Sequence, residues 1–196
     1  YDRDRNWVRG WLDLDNSPDN TNTVFLTDSL LGSYVGYSLG VWKCPGDQST
    51  STHGGKVYPR VRSISINTYL NPLPPGLPLN LKRFRKLGDM SDPAPSQIFV
   101  VIDEREESVQ NCQFLACMDG IYPRNPMQFG LCNFPANYHN GASGLNFADG
   151  HSEIHKWHEP RTTPPKGQAV AYGFPPLPTP NNEDAYWLGI RSTVLR

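Results

Sequence analysis

The sequence predicts an α+β fold, a β-rich globular head built on a central antiparallel sheet, with few short helices, long loops and a Pro-rich C-terminal extension. Three observations carry this. Gly 17 and Pro 19 among 196 residues supply much turn chemistry and hydrophobic residues make up only 37%, a composition that favours strands, loops and extended segments over a helix bundle. The strand expected at residues 97–102 is continuously apolar from Ile98 to Ile102, as in a strand covered on both faces. Residues 145–148 and 152–157 flank Asp149-Gly150, a strong hairpin signal.

The elements follow in order. Residues 7–12, with Trp7, Trp11 and Leu12, read as a short strand entering a loop at 13–23 rich in residues that bond their own backbone. Thr27-Asp28 before apolar residues marks a helix start, and nearby glycines limit that helix to two or three turns ending near Val35. Residues 41–44 read as a strand stopped by Pro45-Gly46-Asp47. After a polar loop, residues 60–67 alternate basic or small polar side chains with β-branched ones, the period of a half-buried strand. Four prolines in residues 71–78 exclude regular structure, and residues 79–87 then place Lys82, Arg83, Arg85 and Lys86 among apolar residues, as in a short basic helix with a solvated face.

Residues 1–159 are expected to form the head and residues 160–196 an extension. Pro164-Pro165 and the run 175–180 favour polyproline geometry, while Tyr172, Phe174, Tyr186, Trp187, Leu188 and Ile190 would anchor the segment on the head or on a neighbouring subunit.

Eighteen basic and nineteen acidic residues give a net charge of −1, which supplies no field for a nucleic-acid backbone or an anionic membrane. No apolar run approaches the ~18 residues that cross a bilayer. Cys44, Cys112, Cys117 and Cys132 are candidate disulfide partners, with three pairings open, and free buried thiols are the alternative; disulfides would suit an oxidising, extracytoplasmic location. Zinc-knuckle spacing is missing, since Cys112 and Cys117 are separated by four residues and Cys44 stands by itself.

The most specific local pattern runs from His139 through Asp149-Gly150 to His151. A glycine turn after His139 leads into a strand, Asp149-Gly150 reverses it, and His139 and Asp149 are expected to meet and brace the loop. A competing reading groups His139, Asp149, His151 and His155 as metal or acid/base groups, with His151, Glu153 and His155 on one strand face. No H-E-x-x-H helix, nucleophile elbow or phosphate loop accompanies them. Asp13, Asp15 and Asp19 place carboxylates at alternate positions of the first loop, a candidate calcium site. Pro18 stands where an EF-hand needs glycine, so that motif does not fit, and an ion-free Asx-rich loop explains the run equally. Asp103 and Glu104 are a second oxygen pair, with Arg105 beside them.

Taken together, several separated motifs resemble the pseudopilin-like secreted proteins of the planctomycete and verrucomicrobial type, which carry a C-terminal H-X9-DG motif and type IV pilin-like N-termini. They are Asn6 to Leu12, Asp19 to Thr23, Lys43-Cys44-Pro45-Gly46-Asp47, Arg60 to Asn67, Asp103-Glu104 with Ser108, and His139 to His151, in family order across residues 6–157. The family's precursors begin with a prepilin cleavage site and a long apolar helix, and this sequence starts where the globular head of such a protein should begin. The resemblance implies a non-enzymatic structural subunit of an extracellular pilus, pseudopilus or secretion-associated filament, with neighbouring copies as partners. Heads of this kind often bind calcium in a loop, which adds interest to Asp13, Asp15 and Asp19. Two other functions compete: a secreted polysaccharide-binding module stacking sugars on Trp7, Trp11, Trp42, Trp157 or Trp187, and a metal-dependent hydrolase using His139, Asp149 and His151.

Overall fold

The computed structural model describes residues 6–70, 80–168 and 175–196. The proline stretch at 71–78 and the anchors Tyr172 and Phe174 lie outside the described residues.

The α+β class is as the sequence predicts. A five-stranded sheet runs in the order β5-β3-β4-β7-β8, with β3 at Ile64–Asn67, β4 at Phe99–Asp103, β5 at Gln113–Phe114, β7 at Ala142–Phe147 and β8 at Ser152–Lys156. Every neighbouring pair is antiparallel except β3 with β5, which is parallel. A hairpin of β1 (Thr50–His53) and β2 (Lys56–Pro59) and a small pair of β6 (Gly130–Leu131) and β9 (Leu177–Pro178) lie apart. Among the described residues two α-helices complete the set, α1 at Val24–Thr27 and α2 at Glu183–Ile190.

The pleat divides the sheet into unlike faces. One face presents Phe99, Ile102, Leu145 and Phe147, which are buried with Phe114, Phe129, Phe134, Trp157 and Leu188 in the main core. Helix α2 covers this core. Its buried N-cap Asn182 accepts a bond from the Ala185 N–H at 3.1 Å, and Glu183 and Asp184 place negative charge in the first turn. Asp184 also accepts from the backbone N–H groups of His158 and Glu159. Within the C-terminal extension, β9 pairs with β6 and the capped helix α2 lays Leu188, Tyr186, Trp187 and Ile190 on the main core.

The opposite face carries Ile64, Ile66, Val101, Asp103, Gly144, Asn146 and Ile154, as the strand register requires. Trp7, Val8, Trp42 and Leu26 cover its β3 end, with Trp7 and Trp42 stacked at 5.4 Å between ring centroids. The β7–β8 end is open. The apolar run ending in β4 thus has only Ile98, Phe99 and Ile102 fully buried, whereas Val100 and Val101 are half-buried.

Several local expectations are corrected. Residues 7–12 form no strand, because the side chains of Trp7, Val8 and Leu12 are buried by packing and not by pairing. The predicted helix from Thr27 is instead the single turn of α1 and a 3-10 turn at Ser33–Val35, and the predicted strand at 41–44 is a 3-10 turn at Gly40–Trp42. The described part of 79–87 makes isolated bridges, with a 3-10 turn only at Leu87–Asp89. The strand expected from 60 begins at Ile64, since Arg60 and Arg62 turn inward and donate to the carbonyls of Glu106, Val109 and Asn111. The β1–β2 hairpin was not foreseen; its turn uses Gly54 and Gly55, both at positive φ.

All four cysteines are buried thiols and none is in a disulfide. Cys112 packs against Trp7, Cys44 lies beside His139, and Cys117 and Cys132 neighbour each other under the main core. Among the described residues no helix is long and apolar enough to cross a membrane.

Candidate functional site

Two of the sequence motifs, far apart in the chain, converge at one end of the open sheet face. In the first, Lys43-Cys44-Pro45-Gly46-Asp47 forms a tight turn closed by Asp47 N–H to Cys44 C=O at 3.0 Å. The turn is pinned to β3's entry by the Cys44 N–H, which donates to Ser63 Oγ at 2.8 Å. Gly46 lies so close to Tyr138 that a Cβ there would stand 2.9 Å from the Tyr138 Cβ, and its N–H points to Cys44 Sγ at 3.4 Å. In the second motif, Asn140 and Gly141 adopt positive φ in a turn closed by Gly141 N–H to Asn137 C=O, and this aims His139 toward Cys44.

Asp103, the last residue of β4, completes the group. Its Oδ2 accepts the Gly144 N–H at 3.1 Å. A Cβ on Gly144 would stand 3.0 Å from that oxygen, so the absence of a side chain makes room for the carboxylate. Cys44 Sγ is 3.3 Å from His139 Nε2, and Asp103 Oδ2 is 3.7 Å from the same nitrogen. The three ligand atoms lie within 4.8 Å of one another. They border an open hollow of about 320 Å3 whose walls include Val41, Ile64, Val101 and Asn146.

Electrostatics favour the neutral, protonated forms of the thiol and the carboxyl. Burial pushes the Cys44 thiol above its ordinary value, only partly offset by the Gly46 N–H. Burial likewise raises Asp103, against the Gly144 N–H and His139, which favour its charged form. A nucleophilic triad needs the imidazole to touch the nucleophile through one nitrogen and the carboxylate through the other. Here both partners approach Nε2, so the arrangement surrounds a point and does not relay a proton.

The other candidates are placed differently. His139 precedes β7 and Asp149 follows it, so the expected meeting of the two does not occur; the strand holds them at its opposite ends. Asp149 instead binds His151, Oδ1 to Nδ1 at 2.6 Å, and the His151 ring stacks on Phe147 at 4.4 Å. With Gly150 at φ 95°, this pair shapes the β7–β8 turn. His155 stacks on Trp187 at 3.7 Å and meets Trp157 edge-on, and burial lowers its pKa, so it is a neutral packing group. Glu153 and His155 do share one face of β8, 3.9 Å apart, and His151 at the strand's entry turns to the same side onto Phe147, but the three do not converge on a common point.

The first loop uses its acids on its own backbone. Asp13 Oδ1 accepts from the N–H groups of Asp15 and Ser17 and from the Asn20 amide, and Asp19 Oδ2 accepts the Trp11 N–H. Asp13, Asp15 and Asp19 form no cluster of converging ligand atoms; among the described residues only Cys44, Asp103 and His139 do. The Asx-turn reading accounts for the loop.

Glu104 points the other way from Asp103. It is fully buried, and its Oε1 accepts from Ser108 Oγ and the Asn133 amide, both at 2.7 Å. Its Oε2 meets no donor in hydrogen-bonding geometry. Burial raises its pKa to about 7, against the polar groups of Ser65, Ser108 and Asn133 and the charge of Arg62. The Asp103-Glu104…Ser108 motif is therefore a buried polar clasp with one acid on each side of the sheet.

Sequence reasoning missed Cys44 and Asp103 as companions of His139. The available signals were the Cys-Pro-Gly turn and an acid at the end of the strongest strand, but no spacing rule joins positions 95 residues apart. Compared with known proteins, the chain matches no family model, no curated protein and no solved structure.

Proposed function

We propose that this protein is a non-enzymatic structural subunit of an extracellular pilus- or pseudopilus-like assembly, in which copies of the chain meet through the open face and edge of the five-stranded sheet. The observation that carries this reading is the apolar surface at the β7–β8 end. Ile154 is 62% exposed on the edge strand opposite Gly144, and on the far side of β7 the hollow is walled by half-buried Val101 and by Val41, 51% exposed. Tyr37 and Leu39, also exposed, continue the chain toward Val41. Exposed apolar side chains gathered on one sheet face mark interaction sites, and an unpaired edge such as β8 offers backbone donors and acceptors to another strand. A net charge of −1 gives copies of the chain little cause to repel one another. The motif resemblance across residues 6–157 supplies the class of assembly and its location outside the cytoplasm.

The competing functions find less support. Trp7, Trp42 and Trp157 are buried and Trp187 is stacked between His155 and Arg191, so of the five indoles only Trp11 presents an open face to sugars. A hydrolase on His139, Asp149 and His151 lacks a common centre, as His139 lies at the other end of β7.

Sedimentation velocity over a concentration series tests the proposal. The wild-type chain is expected to self-associate and Ile154→Asp to stay monomeric with an unchanged far-ultraviolet spectrum. A monomeric wild type at all concentrations, or undiminished association of Ile154→Asp, overturns it.

A further inference from the structure

We propose that Cys44, Asp103 and His139 form a three-ligand site for Zn2+. The ligand atoms are one thiol sulfur, one carboxylate oxygen and one imidazole nitrogen, a set that zinc accepts together and that calcium, which takes oxygen, does not. Their spacing suits the ion. Bond lengths of about 2.0–2.3 Å in tetrahedral geometry separate neighbouring ligand atoms by about 3.3–3.6 Å; His139 Nε2 is 3.3 Å from the sulfur and 3.7 Å from the oxygen, and all three atoms lie within 4.8 Å of one another, so a small inward movement seats them on the ion. The convergence of both on one nitrogen, unsuited to a proton relay, is what ligation of a common cation requires.

Charge supports the same assignment. A thiolate and a carboxylate around Zn2+ with neutral imidazole sum to zero, so the metal compensates the cost of two anions in a partly buried place. The surroundings fix the ligands without competing for the ion. The Gly144 N–H holds the Asp103 carboxylate, the Gly46 N–H faces the Cys44 sulfur, and Ser63 Oγ fixes the Cys44 backbone. The remaining coordination position faces the hollow, where water completes the shell. Bound zinc joins three segments distant in sequence: the 44–47 turn, the end of β4 and the 137–141 turn. On binding, each of Cys44 and Asp103 gives up whatever proton it carries to solvent and no electron moves, so affinity falls as pH is lowered.

The test is titration of ZnCl2 into the 196-residue chain, reduced and stripped of metal, followed by calorimetry and thermal unfolding, with CoCl2 as a spectroscopic probe. A single equivalent of zinc is expected to bind and to raise the unfolding temperature, and cobalt to give a thiolate-to-metal charge-transfer band with tetrahedral visible bands. Cys44→Ser should abolish the charge-transfer band. His139→Gln, altering a side chain that reaches the surface, tests the site should Cys44→Ser fail to fold. Each should weaken zinc binding by more than the ~10–100-fold typical of losing an outer-sphere partner. Asp149→Asn and Cys117→Ser should leave binding unchanged. The proposal fails if zinc does not bind at micromolar concentration, if Cys44→Ser and His139→Gln bind as wild type, or if Cys117→Ser removes the cobalt band. Because these readouts need no self-association, they stand or fall separately from the assembly.

Discussion

Replacing Glu104 by Gln should change how stability depends on pH. In the folded chain the Glu104 carboxyl is sealed from water and titrates near 7, whereas its ordinary value is 4.5. As pH rises through that window the unfolded chain releases this proton before the folded chain does. Folding therefore loses stability progressively from about pH 4.5 to about pH 7, with no further change above. The difference of pKa, at 1.36 kcal/mol per unit, amounts to about 3 kcal/mol. Gln keeps the shape, can accept from Ser108 and Asn133 as Glu104 Oε1 does, and does not titrate. Relative to wild type, Glu104→Gln should thus gain about 3 kcal/mol between pH 4 and pH 8. Urea unfolding at a series of pH values, with chelator present so that Asp103 is metal-free in both proteins, measures this difference. A stability difference that is constant over the range, or that moves against the variant as pH rises, refutes the assignment of a neutral buried acid.

Other consequences are simpler. Leu188→Ala, which empties a buried position where α2 meets the main core, should cost ~2–5 kcal/mol in urea unfolding. Asn182→Ala removes the α2 cap and its bonds with Thr162 and should cost ~1–2 kcal/mol, with the loss visible as reduced hydrogen-exchange protection of 183–186. Gly54→Val forces a β-branched residue to positive φ in the β1–β2 turn and should lower the thermal midpoint without affecting zinc binding.

What was legible in the sequence was local. The apolar run ending in β4 and the Asp149-Gly150 turn between β7 and β8 announce themselves because strand period and turn chemistry act within a few residues. The β1–β2 hairpin had its Gly54-Gly55 signal, but its strands, Thr50–His53 and Lys56–Pro59, are too polar to read as strands. Helix α2 had a capping Asn182 and acids in its first turn, overshadowed by the prolines at 175–180. Arg60 and Arg62 look like the wet side of a strand; both are buried because the carbonyls of the 106–111 loop accept from them. The candidate site was least legible. His139 was recognised but paired with Asp149, its neighbour along the hairpin, whereas its partners Cys44 and Asp103 reach it only after β3, β4 and β7 have been assembled side by side.

Hydrogen–deuterium exchange at low and high protein concentration tests the central claim most directly, because it locates a contact between copies as well as detecting one. Association through the open sheet predicts added protection of the β8 amides and of residues 37–41 at high concentration, absent in Ile154→Asp. Protection unchanged with concentration, or gained only on surfaces away from β8, contradicts the assembly described above.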